Sequence, residues 1–240
     1  MSDFQLSAGV LMVGSLYWQD DLNPGDGKRK KWREDYLEMS KSVDVKVPIR
    51  YGRLSAKGKN QTYTMILDAK LNEDQFGTAK AVPAKTNPIT LARLLNLTNE
   101  LSEVEGGKTN HFVKGSEPWC ICGILINPMI EREIKSVIIK TWNSKLKENE
   151  TGFVNFSKDP NLFSSDINGH LQIPWPENLD DIDLLVATAT RPIGSTIVEP
   201  MEIARLIGNR PYFHPNIKKG IRTFQDELIL LAREKGYYES

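Results

Sequence analysis

Cysteine is nearly missing from these 240 residues. Cys120 and Cys122, separated by one residue, offer neither a disulfide framework nor zinc-ligand spacing, which fits a reducing compartment. An excess of one charge is also lacking. Lys+Arg and Asp+Glu number 31 each, so nothing in the overall balance draws the chain to nucleic acid or an anionic membrane, and a general nucleic-acid binder is disfavoured. The N-terminal stretch MSDFQLSAGVLMV holds Asp3 and only the six-residue apolar run 8–13, which reads neither as a signal peptide nor as a membrane span. The resulting expectation is a cytoplasmic protein without a membrane partner. His111, His170 and His214 are scattered without metal-ligand spacing, and H-E-x-x-H, P-loop, G-x-S-x-G and G-x-G-x-x-G motifs are absent. No metal and no organic cofactor are expected. What the chain does have is 40% apolar residues, enough for one large domain or two small ones.

The apolar run 8–13 passes at once into Gly14-Ser15, a buried strand entering a tight glycine loop. Residues 19–31 then read as a turn-rich excursion ending in a helix near Lys31–Met39. Strands are expected at 43–54 and 62–68, the two arms of a hairpin with Pro48 at an edge or bulge, and at 77–83 and 119–126. The clearest helix opens with Asn87 as N-cap and Pro88 in its first turn, and stops at Gly106-Gly107. A second runs from about Pro128 to Lys147 with Ile130, Ile134, Val137, Ile138 and Trp142 on one face. LLVATAT at 184–190 is a further buried strand, a short helix covers 200–207, and a last helix opens at Thr223 with Phe224, Leu228 and Leu231 inward. These elements predict an α+β fold: a small mixed or antiparallel barrel-like sheet with flanking helices and a helical or α/β C-terminal elaboration. The division is a core over 1–150 and an elaboration over 151–240, or one single domain.

Two features could carry chemistry. The glycine in Val13-Gly14-Ser15-Leu16 lets backbone N–H groups converge on an anion, with the Ser15 hydroxyl beside them. On the helix from Pro88, steps of ~100° per residue place Glu105 within the arc of Leu91, Leu94, Thr98 and Leu101. A carboxylate on that apolar side, at the negative end of the helix dipole, has its pKa pushed up toward what a general acid/base needs. The alternative is that the last turn frays and Glu105 turns outward, or that Lys108 or an arginine pairs with it. Arg50 and Arg53 could clamp a substrate carboxylate; strand alternation puts them on opposite faces, and Arg50 is the one taken as a binding candidate. The basic run Lys28-Arg29-Lys30-Lys31, surrounded by acidic residues, reads as a solvated loop.

In this order the strand leading to Val13-Gly14-Ser15-Leu16, the strand GTAKAVP, the helix ending in Glu105-Gly106 and the strand WCICGILI resemble the gamma-glutamylcyclotransferase-like superfamily over roughly residues 8–126. Val13 stands where that family has a loop tyrosine, and the excursion at 19–41 has no counterpart there. The resemblance implies that Glu105 is the catalytic acid/base and that Val13, Gly14, Ser15 and Leu16 bind substrate. The substrate would be a small molecule with a gamma-glutamyl group, cyclised to 5-oxoproline with release of an amine and with no cofactor. A different class, a non-catalytic binding or regulatory module using Trp18, Trp32 and Trp175 as recognition surfaces, stays open, as does a hydrolase with Thr188, Thr190 and Arg191 around a pocket.

Overall fold

The computed structural model describes residues 5–55, 61–106, 119–147, 164–166, 168–194, 196–209 and 211–235. Its centre is a five-stranded sheet. Strand β1 (Gln5–Leu6) is short, and β2 (Ala8–Met12) follows with all five residues buried. Beyond helix α1 (Lys28–Tyr36) come β3 (Val43–Val47), β4 (Ile49–Ser55), β5 (Thr62–Leu67) and β6 (Gly77–Pro83). Then come β7 (Ile89–Thr90), α2 (Leu91–Val104), β8 (Cys120–Ile126), α3 (Arg132–Lys147) and β9 (Leu184–Thr190). The last described elements are α4 (Pro200–Leu206), α5 (Phe213–Lys218) and α6 (Asp226–Glu234). The large sheet has the order β3-β6-β2-β9-β8, with β2 and β9 parallel and every other neighbouring pair antiparallel.

Residue pattern explains each strand's place. β2 and β9 are apolar almost throughout, as strands covered on both faces must be. VDVKV in β3 alternates, with Val45 and Val47 buried, Asp44 and Lys46 in water, and Asp44 paired to Lys80 across the ladder. The other edge, β8, is capped by backbone bonds between Ile124 and residues 169 and 171. Gly123 makes room for that cap: a Cβ there would lie 2.7 Å from Leu171 Cδ2.

The α+β class is thus observed, with two departures from the sequence reading. The five expected strand segments do not join one barrel-like sheet, and among the described residues no barrel closes. Pro48 ends β3, and β4 and β5 form a hairpin of their own, held against the C-terminal helices by Tyr51 N–H to Gln225 Oε1 (2.9 Å) and by the Tyr63 hydroxyl on Glu202. Moreover, β9, assigned from sequence to the C-terminal elaboration, lies between β2 and β8 in the sheet interior.

The helices shift as well. α1 starts three residues before its expected Lys31. α2 starts at Leu91, capped by the Thr90 hydroxyl, rather than at Pro88. Asn87 has another partner: its side-chain amide brackets Ala8, accepting from the N–H at 3.0 Å and donating to the carbonyl at 2.9 Å. The Asn87–Pro88 bond is cis, and residues 89–90 pair with β1 before the helix begins. α2 buries Leu94, Leu97, Thr98 and Leu101, with Leu91 half-buried, and it ends at Glu105 with Gly106 in the left-handed region. In α3, Ile138, Trp142 and Leu146 face inward while Val137 is exposed. α6 buries Asp226 and Ile229 and leaves Leu228 and Leu231 exposed, because its inward face is fixed one residue further round by the Thr223–Asp226 bonds. Gly107, expected as a helix stop, lies outside the described residues, as do Lys108 and His111.

Candidate functional site

At the end of β2 the chain passes through extended Val13 into one 3₁₀ turn, Gly14–Tyr17. Gly14 has φ +66°, and a Cβ on it would lie 2.1 Å from the Tyr212 hydroxyl, which in turn accepts the Met65 N–H at 3.0 Å. Only glycine fits where the loop, the hairpin and the C-terminal region converge. A Gly14→Ala variant is expected to lose about 1–2 kcal/mol from the left-handed backbone, and more from the displaced Tyr212. Denaturant midpoints check this; a variant as stable as the parent would contradict the loop geometry.

Beneath the loop lies α1, and here the sequence reading is corrected. The basic run is helical, and its residues divide by face: Lys28, Lys30 and Lys31 are in water, whereas Arg29 and, one turn on, Arg33 are buried. Arg33 donates to the Leu16 and Gln19 carbonyls at 2.9 and 2.7 Å and pairs with Asp20, so it holds the loop's shape. Arg29 donates to Ser15 Oγ (3.2 Å) and Gln19 Oε1 (3.0 Å) and forms an ion pair with Glu105, Nη2 to Oε1, at 2.6 Å.

Glu105 is therefore inward, 5% exposed, at the end of α2, and an arginine is its partner. Burial pushes its pKa above the ordinary value of 4.5; the Arg29 charge opposes this without cancelling it. The buried thiols of Cys120 and Cys122 are also raised, by desolvation first and then by the Glu105 charge, and neither is primed as a nucleophile.

Loop and carboxylate border one cavity of about 330 Å³. Val13, Ser15, Leu16, Arg29 and Glu105 form one part of its wall, Thr188 and Thr190 of β9 another, and Arg53, Thr64 and Trp119 a third. Gly14 is not on the wall; it supports the loop against Tyr212, which is. Arg50, the arginine chosen from sequence, is elsewhere: it has no exposed surface and pairs with Asp68, Nε to Oδ2, at 2.5 Å. The expected alternation fails as well, through a β-bulge at Gly52. Arg50 pairs in register with Ile66 and Arg53 with Thr64, so the extra residue brings both arginines to one face instead of opposite faces. Gly52 lets the Ile66 and Arg50 side chains close over the bulge, since a Cβ there would lie 2.4 Å from Ile66 Cδ1 and displace them.

No protein-family model matches the chain, and neither a curated protein nor a solved structure matches it. The site's chemistry is accordingly read from its own residues. Among the described residues no three His, Cys, Asp or Glu side chains gather where they could hold a metal ion, and no helix is long and apolar enough to cross a membrane. His170 pairs with Asp166, and His214 lies against Arg233. Of the tryptophans considered as recognition surfaces, Trp32 is buried, Trp18 donates to Asn216 Oδ1 at 2.6 Å, and Trp175 packs on the core.

The sequence missed Arg29 and Tyr212, and of the two arginines it weighed in β4 it took Arg50 where the cavity has Arg53. A helical reading of residues 28–36 would have found the first, since Arg29, Trp32 and Arg33 share a stripe. Nothing local marks the bulge that turns Arg53 inward.

Proposed function

We propose that the cavity binds a small carboxylate-bearing substrate and that Glu105 acts in it as a general acid/base, in the manner of the gamma-glutamylcyclotransferase-like enzymes the sequence resembles. The observation that supports this is the shared cavity: a desolvated carboxylate with a raised pKa borders the same space as the Val13–Leu16 loop. In the reaction, the substrate's α-amine attacks its own γ-carbonyl carbon. Glu105 takes the proton from the attacking nitrogen and returns it to the departing nitrogen as the C–N bond breaks. The products are 5-oxoproline and a free amine, and no redox step or external nucleophile is involved. Ser15 and the loop backbone would hold the carbonyl oxygen as charge develops on it.

The test is release of 5-oxoproline from a panel of gamma-glutamyl amines, amides and peptides. Glu105→Gln should lower the rate about 10²–10⁴-fold, the usual contribution of a positioned acid/base. The variant is also expected to melt at or slightly above the parent at neutral pH, because the raised pKa means that the folded state favours the neutral form of this side chain even with Arg29 beside it; assays belong below both transitions. Undiminished turnover in the Gln variant would clear Glu105 of the role.

A second reading has its own observation. The Arg29–Glu105 pair is closed at 2.6 Å, so the carboxylate already has a partner, as suits a binding module in which the pair is structural. A parent protein inert on the whole panel would favour that reading.

A further inference from the structure

Of the residues bordering the cavity, three carry charge: Arg29, Arg53 and Glu105. Arg29 and Glu105 neutralise each other, which leaves the Arg53 guanidinium as the cavity's net charge. Among the described residues it has no carboxylate partner. Instead it lies over the Trp119 ring, 4.7 Å from the centroid, and burial draws its pKa down. A half-buried cation held away from counter-charge is an unfavourable arrangement for a purely structural residue. The fold also works to keep it there. The Gly52 carbonyl accepts the Ile193 N–H at 2.7 Å, and the Arg53 carbonyl accepts the Thr64 hydroxyl at 3.2 Å, so the bulge that aims Arg53 into the cavity is tied at both of its residues.

We infer that Arg53 and Trp119 form a binding subsite for the carboxylate of a small monoanionic ligand. Trp119 occupies one face of the guanidinium, which leaves its planar fork to meet a carboxylate with two parallel hydrogen bonds. The Thr190 hydroxyl, which also borders the cavity, supplies a further donor, whereas those of Ser55 and Thr64 are already given to the Thr62 and Arg53 carbonyls. On the cavity wall Arg53 is the one uncompensated charge, with the Arg191 charge near enough to act on it, and one carboxylate answers the wall charge where a phosphate dianion would crowd more negative charge against Glu105. The volume, about 330 Å³, is at the small end for ligand pockets and suits a metabolite rather than a polymer. This subsite does not depend on Glu105 being catalytic.

The experiment is titration of the full chain with 5-oxoproline and 4-phenylbutyrate, each beside its neutral amide, and with inorganic phosphate, followed by calorimetry and by the NMR signal of the Trp119 indole N–H. The carboxylates should bind at least tenfold more tightly than the amides and shift the Trp119 signal. In Arg53→Gln that preference should vanish; in Arg53→Lys, which keeps the charge without the planar fork, part of it should remain and show that the cavity is intact. Equal binding of acid and amide by the parent, a preference untouched in Arg53→Gln, or phosphate outcompeting both carboxylates would overturn the assignment. Turnover stands apart from this readout. A carboxylate preference without 5-oxoproline release removes the acid/base reading alone, and release without a preference removes the subsite alone.

Discussion

An Arg29→Met variant is expected to lose about 3–5 kcal/mol of stability at pH 8, the range for removing one member of a buried ion pair. Both partners are nearly without solvent contact, so Glu105 would be left desolvated and unopposed, and Ser15 Oγ and Gln19 Oε1 would lose their donor. The loss should depend on pH in a definite direction. Glu105 has a folded pKa above its ordinary 4.5, so the folded state binds a proton the unfolded state has released; its contribution is fully present below 4.5 and declines as pH rises through the folded value. Without Arg29 the only opposing influence on that pKa is gone and the value rises further. The variant should therefore be closest to the parent in acid, where Glu105 is protonated in both, and furthest from it in mild alkali. Arg29→Met/Glu105→Gln, with no charge left to bury, should recover much of the alkaline loss. Urea titrations at pH 4 and pH 8 check both statements; a loss under about 1 kcal/mol, equal at the two pH values, would mean that the pair contributes nothing to folding.

Leu94→Ala is expected to destabilise the protein by about 2–5 kcal/mol. Leu94 has no exposed surface, and its carbonyl accepts the Thr98 hydroxyl at 2.9 Å one turn further along α2. The helix it anchors is the one whose last turn presents Glu105, so the truncation loosens the packing that positions the carboxylate. Leu228→Ala is the contrast, since Leu228 in α6 is 54% exposed and its truncation should change stability by no more than about 0.5 kcal/mol. Guanidinium titration of the two variants separates a core leucine from a surface one; similar losses would contradict the assigned faces.

The contrast between these leucines shows what the sequence could tell. Periodicity found α2's buried face because Leu94, Thr98 and Leu101 repeat over about two turns, and the same arc carried Glu105 inward. In α6 the helix is short, and bonds from Thr223 outside it fix the rotation, so apolar spacing misplaced Leu228 and Leu231. The strands GTAKAVP and LLVATAT were legible end to end, because runs of β-formers bounded by turn residues are local signals. Their order in the sheet was not: the parallel pairing of Ala8–Val10 with Leu184–Val186 joins segments with no shared local signature. The site divides in the same way. Val13–Leu16 and Glu105 are set by a strand end and a helix end that local pattern marks. Arg29 was hidden in a run whose average is hydrophilic, and a one-residue bulge sets Arg50 and Arg53 on one face where alternation had parted them, with Arg50 then taken up by Asp68.

The interior position of β9 bears on how the protein is made. Residues 8–12 leave the ribosome long before the neighbour that fills their second edge, residues 184–190, is synthesised. At about 5–20 residues per second, that edge of the nascent chain waits on the order of 10 s or longer, apolar and unpaired. Nor can β8 join the sheet in the interval, since β9 alone links it to the rest. Polypeptides released before residue 184 would carry two open strand edges, so premature termination should yield aggregating fragments rather than a smaller working domain, and chaperone capture should concentrate in that window of translation.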